Sequence, residues 1–227
     1  MTRKRALISW SSGKDSAWTL HVLRSRPEIE VVGLFTTVHE EAGVVAVHAV
    51  PLELLEAQAR AAGLHLHKIP VPQPCPNEAY EAAIAAFVAQ AKQDGVTHLA
   101  FGDLFLEDIR RYREKQFAAS GVELLFPLWG LPTRPLAEAM AASGLRAWIV
   151  CVDSRQAPPE WAGRVFDAEF VAAVPEGIDP CGERGEFHTF AFAGPMFSER
   201  IEASVAGTVE RTGFVYADLR PGSASTG

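Results

Sequence analysis

The chain has 227 residues, a mass of 24.6 kDa and a formal net charge of −7, and 48% of its residues are hydrophobic. This composition is typical of a soluble globular protein. The acidic balance argues against broad binding to nucleic acid, which requires a basic surface, although it is compatible with a local pocket for an anion. No stretch approaches 18 consecutive apolar residues, and the short apolar run after the basic N-terminus does not fit a signal peptide. We therefore expect a cytoplasmic protein that has neither a nucleic-acid nor a membrane partner.

The first two thirds of the chain alternate short apolar runs with amphipathic helical patterns. The predicted strands are 5–10, 30–38, 65–71, 96–101 and 146–152, and the predicted helices are 16–26, 52–62, 78–94, 106–120 and 136–143. Strands that alternate with helices of this length predict βαβ units. The sequence therefore predicts an α/β fold, a doubly wound parallel sheet with helices on both faces.

The pattern changes after about residue 153, where prolines and glycines interrupt the chain and short alternating runs follow at 186–192 and 202–216. These features predict a small, partly β C-terminal region. We divide the chain into a first domain at 1–153, a small region at 154–220 and a disordered tail at 221–227. The three cysteines, Cys75, Cys151 and Cys181, form no CxxC pair, so neither a disulfide framework nor a zinc site is predicted.

The segment LISWSSGKDS, residues 7–16, carries the clearest chemical signal. A strand runs into three small residues that allow a sharp turn before a helix: Ser11, Ser12 and Gly13. Backbone N–H groups and the positive end of the helix are predicted to bind an anion there. Lys14 adds a positive charge, and the hydroxyls of Ser11 and Ser16 add donors.

Asp15 would repel a phosphate unless a divalent cation lay between them, so this residue indicates Mg²⁺. The segment is not a Walker A loop, because Ile8 stands where that pattern requires glycine. The alternative is an ordinary strand–turn–helix junction in which Asp15 or Ser16 caps the helix.

Gly102 and Asp103 follow the predicted strand 96–101. Ligands bind beyond the carboxyl ends of the strands in open α/β sheets, so we expect Asp103 to face the same crevice as Lys14 and to hold Mg²⁺ or a substrate amine. The alternative is a turn aspartate that caps the next helix.

The helix that follows carries several arginines. Arg111 and Arg113 cannot share one helix face, so at most one is expected to point at the site, where its fork of donors would suit pyrophosphate or a carboxylate. We select Arg111, together with Glu107, as candidate substrate-binding residues. Because Glu107 and Arg111 are four residues apart, they are also compatible with a solvated ion pair.

The segment GERGEFHT, residues 182–189, contains two carboxylates, a histidine and two glycines. Residues two apart in a strand share a face, so Glu186 and His188 are expected to point the same way and to orient ammonia or accept a proton from it. The alternative is an exposed polar hairpin.

Two resemblances connect these motifs. SSGKDS resembles the PP-loop SGGKDS of the N-type ATP pyrophosphatases, with Ser12 at the position of the first glycine, where serine is expected to require an unstrained backbone. Segments 102–113, 126–129 and 179–189, in that order, resemble the diphthine–ammonia ligase family. The likeness extends from residue 5 to about residue 200, and Arg184 stands where the family has asparagine. The short chain is typical of a prokaryotic member.

The resemblance implies an adenine nucleotide alpha hydrolase-like fold that binds ATP with Mg²⁺ at the first turn and cleaves it between the α and β phosphates. A substrate carboxylate would be adenylated, and free ammonia would then displace AMP to form an amide. The implied acceptor is diphthine on an elongation factor, or else a small metabolite. The alternatives are a PP-loop enzyme that acts on another carboxylate, an RNA-modifying enzyme, which the net charge disfavours, and a nucleotide-binding protein without turnover. A homodimer is left open.

The resemblance also completes the set of candidate residues. Thr36 and Thr37 end the second predicted strand, near the expected adenine or ribose, and their alternative role is β-propensity. His48 resembles a position near the nucleotide, although a lone histidine also fits a structural role. Glu183 lies in the segment that lines the acceptor site. The candidate sets are as follows: for catalysis, Lys14, Asp103, Glu186 and His188; for the nucleotide, residues 11–16, Thr36, Thr37 and His48; for the substrate, Gly102, Glu107, Arg111 and Glu183; for the metal, Asp15 and Asp103.

Overall fold

A computed structural model describes residues 3–39, 44–45 and 50–222 of the protein. In chain order the elements are β1 (Lys4–Ser9), α1 (Lys14–Arg24), β2 (Ile29–His39), β3 (Val44–Val45), α2 (Leu52–Ala61), β4 (Leu66–Val71), α3 (Asn77–Gln93), β5 (His98–Ala100), α4 (Glu107–Phe117), β6 (Glu123–Leu125), α5 (Thr133–Ala142), β7 (Arg146–Asp153), a 3-10 turn (Pro159–Trp161), β8 (Val165–Phe166), α6 (Ala168–Ala173), β9 (Phe187–Ala193), β10 (Ala203–Arg211) and β11 (Phe214–Pro221). The candidate residue His48 lies outside the described residues. Within the described ranges, no helix combines the length and the apolar character that a membrane crossing requires.

The first sheet has five parallel strands in the order β4-β2-β1-β5-β6, and the two-residue strand β3 pairs antiparallel with β2. Alternate residues of β1 face opposite sides of the sheet. Leu7 packs into a core with α3 and α4, whereas Ala6 and Ile8 pack into a core with α1 and α2. Both faces are covered, so the three consecutive residues Ala6, Leu7 and Ile8 are all buried, as expected in a parallel sheet. The predicted doubly wound α/β fold is confirmed.

The second sheet is antiparallel, in the order β10-β11-β7-β8, with β9 along the other edge of β7. The strand predicted at 146–152 was expected to extend the parallel sheet, and this expectation is wrong, because β7 pairs with β8, β9 and β11. An apolar run predicts an extended strand but not its partners, which lie far along the chain. The division of the chain at residue 153 stays a prediction. The strands up to β6 belong to the first sheet and those from β7 onward to the second, so a division by sheet would fall between β6 and α5.

The alternating run predicted at 202–216 is a hairpin rather than one strand. Thr212 and Gly213 join β10 to β11, and both have positive φ, 51° and 81°. A two-residue turn of this kind matches the twist of an antiparallel pair. The prediction of a disordered tail is wrong for its first two residues, because β11 continues to Pro221 and the Gly222 N–H donates to the Glu202 carbonyl at 2.8 Å. Residues 223–227 lie outside the described residues.

The two sheets share one buried apolar cluster. It contains Ile8 of β1 and Leu20 of α1, together with Ile149 of β7 and Phe190 of β9. The helix α1 contacts both β2 and β9. The turn between β1 and α1 therefore lies where the antiparallel sheet meets the parallel sheet.

Candidate active site

A crevice of about 450 Å³ opens beyond the carboxyl ends of β1, β2 and β5. Ligands bind at this edge of open α/β sheets, and the volume suits a small-molecule ligand. Nine of the candidate residues line the crevice: Ser11, Asp15, Ser16, Thr36, Thr37, Gly102, Asp103, Glu183 and His188. Segments that are far apart in the sequence thus meet in one space.

The turn at residues 10–13, hereafter the β1–α1 turn, presents hydroxyl groups to this crevice. The Ser11 and Ser16 hydroxyl oxygens are 3.3 Å apart. The Gly13 N–H donates to the Ser11 hydroxyl at 3.3 Å, and the Ser16 hydroxyl donates to the Gly13 carbonyl at 2.9 Å. Because α1 begins at Lys14, its positive end lies beside these hydroxyls, an arrangement that favours an anion.

A buried glutamine, Gln58 of α2, holds the β1–α1 turn against β9. Its side-chain oxygen accepts from the Trp10 indole N–H at 2.8 Å, and its amide nitrogen donates to the carbonyls of Ser12 at 2.9 Å and Ala191 at 2.6 Å. The Ala191 N–H also donates to the Ser12 carbonyl at 2.9 Å. Contacts across the two sheets therefore fix the path of the turn.

Ser12 occupies the left-handed region, with φ at +70°. The expectation that serine requires an unstrained backbone at this position is therefore wrong. Its side chain is fully buried and does not line the crevice. Ser12 keeps the backbone geometry that glycine would adopt, because its carbonyl accepts hydrogen bonds from both the Gln58 side chain and the Ala191 N–H.

Lys14 is 2% exposed, and the structure buries it beside the crevice. Its ammonium group lies 3.0 and 2.8 Å from the two Asp15 carboxylate oxygens and donates to the Cys181 carbonyl. Burial lowers the pKa of Lys14, but the charges of nearby groups, Asp15 foremost, raise it above its ordinary value. The lysine is therefore charged, yet it does not lie among the residues that line the crevice.

Gly102 lets the end of β5 approach the start of α1. A Cβ atom at this position would lie 3.0 Å from the Asp15 carbonyl oxygen and 3.1 Å from the Thr19 hydroxyl. Such contacts are tighter than most Cβ contacts, so a larger residue here would require the start of α1 to shift. The close approach brings the next residue, Asp103, into the crevice near Asp15.

Asp103 forms a two-bond ion pair with Arg113 of α4. The Arg113 Nε and a terminal nitrogen donate to the two carboxylate oxygens at 2.6 and 3.0 Å. The same guanidinium lies 4.3 Å from the centre of the Phe101 ring. Both members of the pair line the crevice.

The choice of Arg111 and Glu107 as substrate-binding residues is not supported by their positions. Their side chains are 72% and 76% exposed, and they form an ion pair at 3.5 Å on the solvent face of α4. The spacing contained a signal that would have selected Arg113 instead. Ile109 and Arg113, which line the crevice, and the buried Phe117 recur every four residues and so share one side of the helix.

The loop at residues 179–186, hereafter the acceptor loop, is held by its own carboxylates. Asp179 accepts from the N–H groups of Cys181 at 3.1 Å and Glu183 at 3.0 Å. Glu186 accepts from the N–H groups of Asp179 at 3.2 Å and Arg184 at 3.0 Å. Glu186 is buried and does not line the crevice, whereas His188 does, so the expectation that these two side chains point the same way is not met.

Glu183 is the carboxylate that the acceptor loop presents to the crevice. One of its oxygens accepts from the Leu104 N–H at 2.8 Å. Burial raises the pKa of Glu183 to about 7, aided by the charges of Asp15 and Asp103 and opposed by the Leu104 hydrogen bond and Lys14. This group therefore exchanges a proton near neutral pH.

His188 lies in the same crevice. Burial, followed by the charge of Lys14, lowers the pKa of His188 below its ordinary value. Its imidazole is therefore neutral at neutral pH, and a neutral imidazole has one nitrogen that accepts and one that donates.

The two expected magnesium ligands already have basic partners, Lys14 for Asp15 and Arg113 for Asp103. Among the described residues, no group of three His, Cys, Asp or Glu side chains is arranged to hold a metal ion. These residues therefore do not fit a magnesium site built by the protein alone. Cys75, Cys151 and Cys181 are free thiols.

A doubly wound sheet with a crevice at the carboxyl ends of its central strands defines a Rossmann-like α/β protein with a small-molecule site. Two family models match this chain: the diphthamide synthase N-terminal domain over residues 4–124 and the diphthamide synthase C-terminal domain over residues 133–217. The chain belongs to this family of ATP-using enzymes, the diphthine–ammonia ligase family. A comparison with curated proteins finds no match.

Proposed function

We propose that the protein is an ATP-dependent amide-forming ligase that adenylates a substrate carboxylate and then transfers ammonia to it. One observation carries the proposal: a single crevice joins Ser11, Asp15 and Ser16 of the nucleotide side to Glu183 and His188 of the acceptor side. Two reactants held in one space react far faster than two that meet by diffusion. Membership of the diphthamide synthase family supports the same reaction.

In this proposal the ATP phosphates bind at the start of α1, and adenine lies against the wall formed by Phe35, Thr36 and Thr37. The Ser11 and Ser16 hydroxyls and the N-terminus of α1 stabilise negative charge on the phosphoryl oxygens. Mg²⁺ arrives with the phosphates of ATP, a common mode of binding for this ion, because Asp15 and Asp103 are already ion-paired.

The first step joins a substrate carboxylate oxygen to the α-phosphorus and breaks the bond to the β-phosphate, which releases pyrophosphate. In the second step ammonia attacks the acyl carbon, and the bond from that carbon to AMP breaks. Nitrogen loses one proton as the amide forms. We assign this proton to Glu183 rather than to Glu186, because Glu183 lines the crevice and its pKa lies near 7.

We propose diphthine on an elongation factor as the acceptor, on the strength of the family. Free ammonia as the nitrogen source and a cytoplasmic location are parts of the same proposal. Arg184 lies at the edge of the acceptor loop with its guanidinium 5.6 Å from the centre of the Phe105 ring.

The test is an incubation with ATP, MgCl₂, ammonium chloride and an elongation factor that carries diphthine. We expect AMP and pyrophosphate in equal amounts, together with one amide per AMP by mass spectrometry. Production of ADP and phosphate contradicts the proposal, as does amide formation without ATP.

A matched pair of variants links this activity to the crevice. Ser16→Ala removes a hydroxyl beside the proposed phosphates, and loss of such a contact typically costs about 3 kcal/mol, or roughly 150-fold in rate. Ser25→Ala, at the other end of α1, is the control and is expected to keep full activity. Equal activity in the two variants would contradict the proposal that the ATP phosphates bind at this turn.

A further inference from the structure

The side chain of Lys14 has no N–H group to spare for a ligand. An ammonium group has three donors. Those of Lys14 are taken by the two Asp15 oxygens, at 3.0 and 2.8 Å, and by the Cys181 carbonyl. The rings of Phe166 and Phe187 each lie 5.7 Å from the nitrogen, which places the charge among aromatic faces.

The two groups that Lys14 bonds belong to two segments that form walls of the crevice. Asp15 lines the crevice from the start of α1. Cys181 lies in the acceptor loop, two residues before Glu183, which also lines the crevice. Lys14 thus joins the two walls across 167 residues of sequence.

The contacts of Lys14 with Asp15 and Cys181 are costly to break. A buried ammonium group is stable only while its partners surround it, and removal of one member of a buried pair is strongly destabilising. If Lys14 turned to a phosphate, the Asp15 carboxylate and the Cys181 carbonyl would both lose their partner. The backbone is fixed as well, because the Lys14 N–H donates to the Thr189 hydroxyl at 3.1 Å.

We propose that Lys14 is a positioning residue that holds the acceptor loop against the start of α1, and so sets Glu183 opposite Asp15, rather than a ligand of the ATP phosphates. The link between the two walls stands on the contacts alone, whereas its consequence for the rate of amide formation rests on the proposed function. Cys181 offers a direct readout of the link, because burial raises the pKa of its thiol and keeps it unreactive.

The test compares Lys14→Met with wild type in a Cys75→Ser background. We measure labelling of Cys181 by an aromatic disulfide reagent and the Kd for α,β-methylene-ATP by calorimetry. We expect Cys181 to react at least 10-fold faster in Lys14→Met, while the Kd stays within threefold of wild type. In the turnover assay, kcat should fall at least 10-fold with KM for ATP unchanged.

Two controls accompany this variant. Lys68→Met removes an exposed lysine and should leave every quantity unchanged. The buried thiol of Cys151 in β7 should stay slow in all variants, which separates local loosening of the acceptor loop from general unfolding. A Kd that rises 30-fold or more while Cys181 stays slow overturns the proposal, because it makes Lys14 a phosphate ligand.

Wild-type protein provides a second measurement that does not depend on the folding of a variant. Acetylation of lysines, followed by mass spectrometry, should leave Lys14 unmodified both with and without α,β-methylene-ATP, while Lys68 reacts in both. Acetylation of Lys14 that the nucleotide prevents would contradict the proposal. If wild type binds no adenine nucleotide, the proposed function fails, and the labelling of Cys181 still decides the role of Lys14.

Discussion

Ser12 carries a side chain at φ +70°, a conformation that glycine adopts without steric cost. Its hydroxyl is buried and, within the part of the chain that the structure describes, has no hydrogen-bond partner. The residue tolerates this geometry because Gln58 and Ala191 both bond its carbonyl. The serine is therefore a local cost that the surrounding contacts offset.

Replacement of Ser12 by glycine should stabilise the protein. The left-handed conformation costs a non-glycine residue about 1–2 kcal/mol, and the extra freedom of glycine in the unfolded chain removes part of that gain. We expect a net gain of about 1 kcal/mol, or a Tm higher by about 2–4 °C in a scanning calorimeter. Ser25→Gly, at φ −80°, is the control and should lower the Tm. A lower Tm in Ser12→Gly would contradict this account.

Glu183 shows how burial shifts the pKa of an ordinary carboxylate to about 7. Because its pKa is about 7, the fraction of Glu183 in the ionised form, which accepts a proton, increases as the pH rises through 7. In Glu183→Gln the side chain still accepts from the Leu104 N–H but cannot take a proton. We expect amide formation to fall on the order of 100-fold and to lose its rise near pH 7. An unchanged pH profile would contradict the proposal that Glu183 accepts a proton in the reaction.

The same pKa predicts how stability depends on pH. The folded-state pKa lies above the ordinary value, so between about pH 4.5 and 7 the folded protein binds more protons than the unfolded chain. The contribution of Glu183 to stability is present below this window and is lost as the pH rises through it. Urea denaturation at pH 5 and pH 8 measures this effect. The free energy of unfolding of Glu183→Gln, relative to that of wild type, should be higher at pH 8 than at pH 5.

At the scale of elements, α4 illustrates a choice between two helix faces. Arg113 shares its side with Ile109 and Phe117 and reaches Asp103, whereas Arg111 shares its side with Glu107 and meets solvent. Each pairing is four residues or a multiple of four along the helix. Arg113 therefore lies at the crevice, whereas Arg111 and Glu107 lie at the surface.

Replacement of Arg113 by methionine should destabilise the protein by about 2 kcal/mol, because the partly buried Asp103 carboxylate loses its partner and Phe101 loses its cationic cover. Arg111→Met is the matched control, and its exposed pair predicts a change below about 0.5 kcal/mol. Chemical denaturation measures both values. Equal losses in the two variants would mean that the pairing of Asp103 does not matter for stability.

The β1–α1 turn depends on an element to which it is not adjacent in sequence. Gln58 of α2 is fully buried and bonds Trp10, Ser12 and Ala191. Gln58→Ala takes the acceptor from the Trp10 N–H, takes one donor each from the Ser12 and Ala191 carbonyls, and opens a cavity. We therefore expect a loss of about 3 kcal/mol and a Tm lower by roughly 9 °C. The exposed Gln90→Ala is the control, with less than about 0.5 kcal/mol expected.

For the whole molecule, the shared core makes the two sheets one stability unit. Ile8 and Leu20 belong to the same buried cluster as Ile149 and Phe190, and the β1–α1 turn bonds β9. Separation of the sheets would expose this cluster to water.

This shared core predicts a single unfolding transition. Urea curves from far-ultraviolet and near-ultraviolet circular dichroism should coincide, and the calorimetric enthalpy should equal the van't Hoff enthalpy. Two separate transitions would show that the parallel and antiparallel sheets unfold independently. In that case the crevice would be an interface between domains rather than part of one core.

The sequence by itself determined the α/β alternation and the edge of the sheet at which the site lies. Hydrophobic period and helix end signals are local, and the carboxyl ends of parallel strands meet at one edge whatever else the chain does. Residues directly after strands, such as Ser11 and Asp103, were therefore predicted to meet in one crevice, and both line it.

The tertiary structure alone decided which side chains face that crevice and which strands pair. Lys14 turns to Cys181, 167 residues away, and β7 joins an antiparallel sheet. Glu183 faces the crevice, whereas Glu186 bonds the backbone of its own loop. A side chain in a turn can point either way with the same local sequence, and its direction is set by distant partners that satisfy its charge and hydrogen bonds once it is buried.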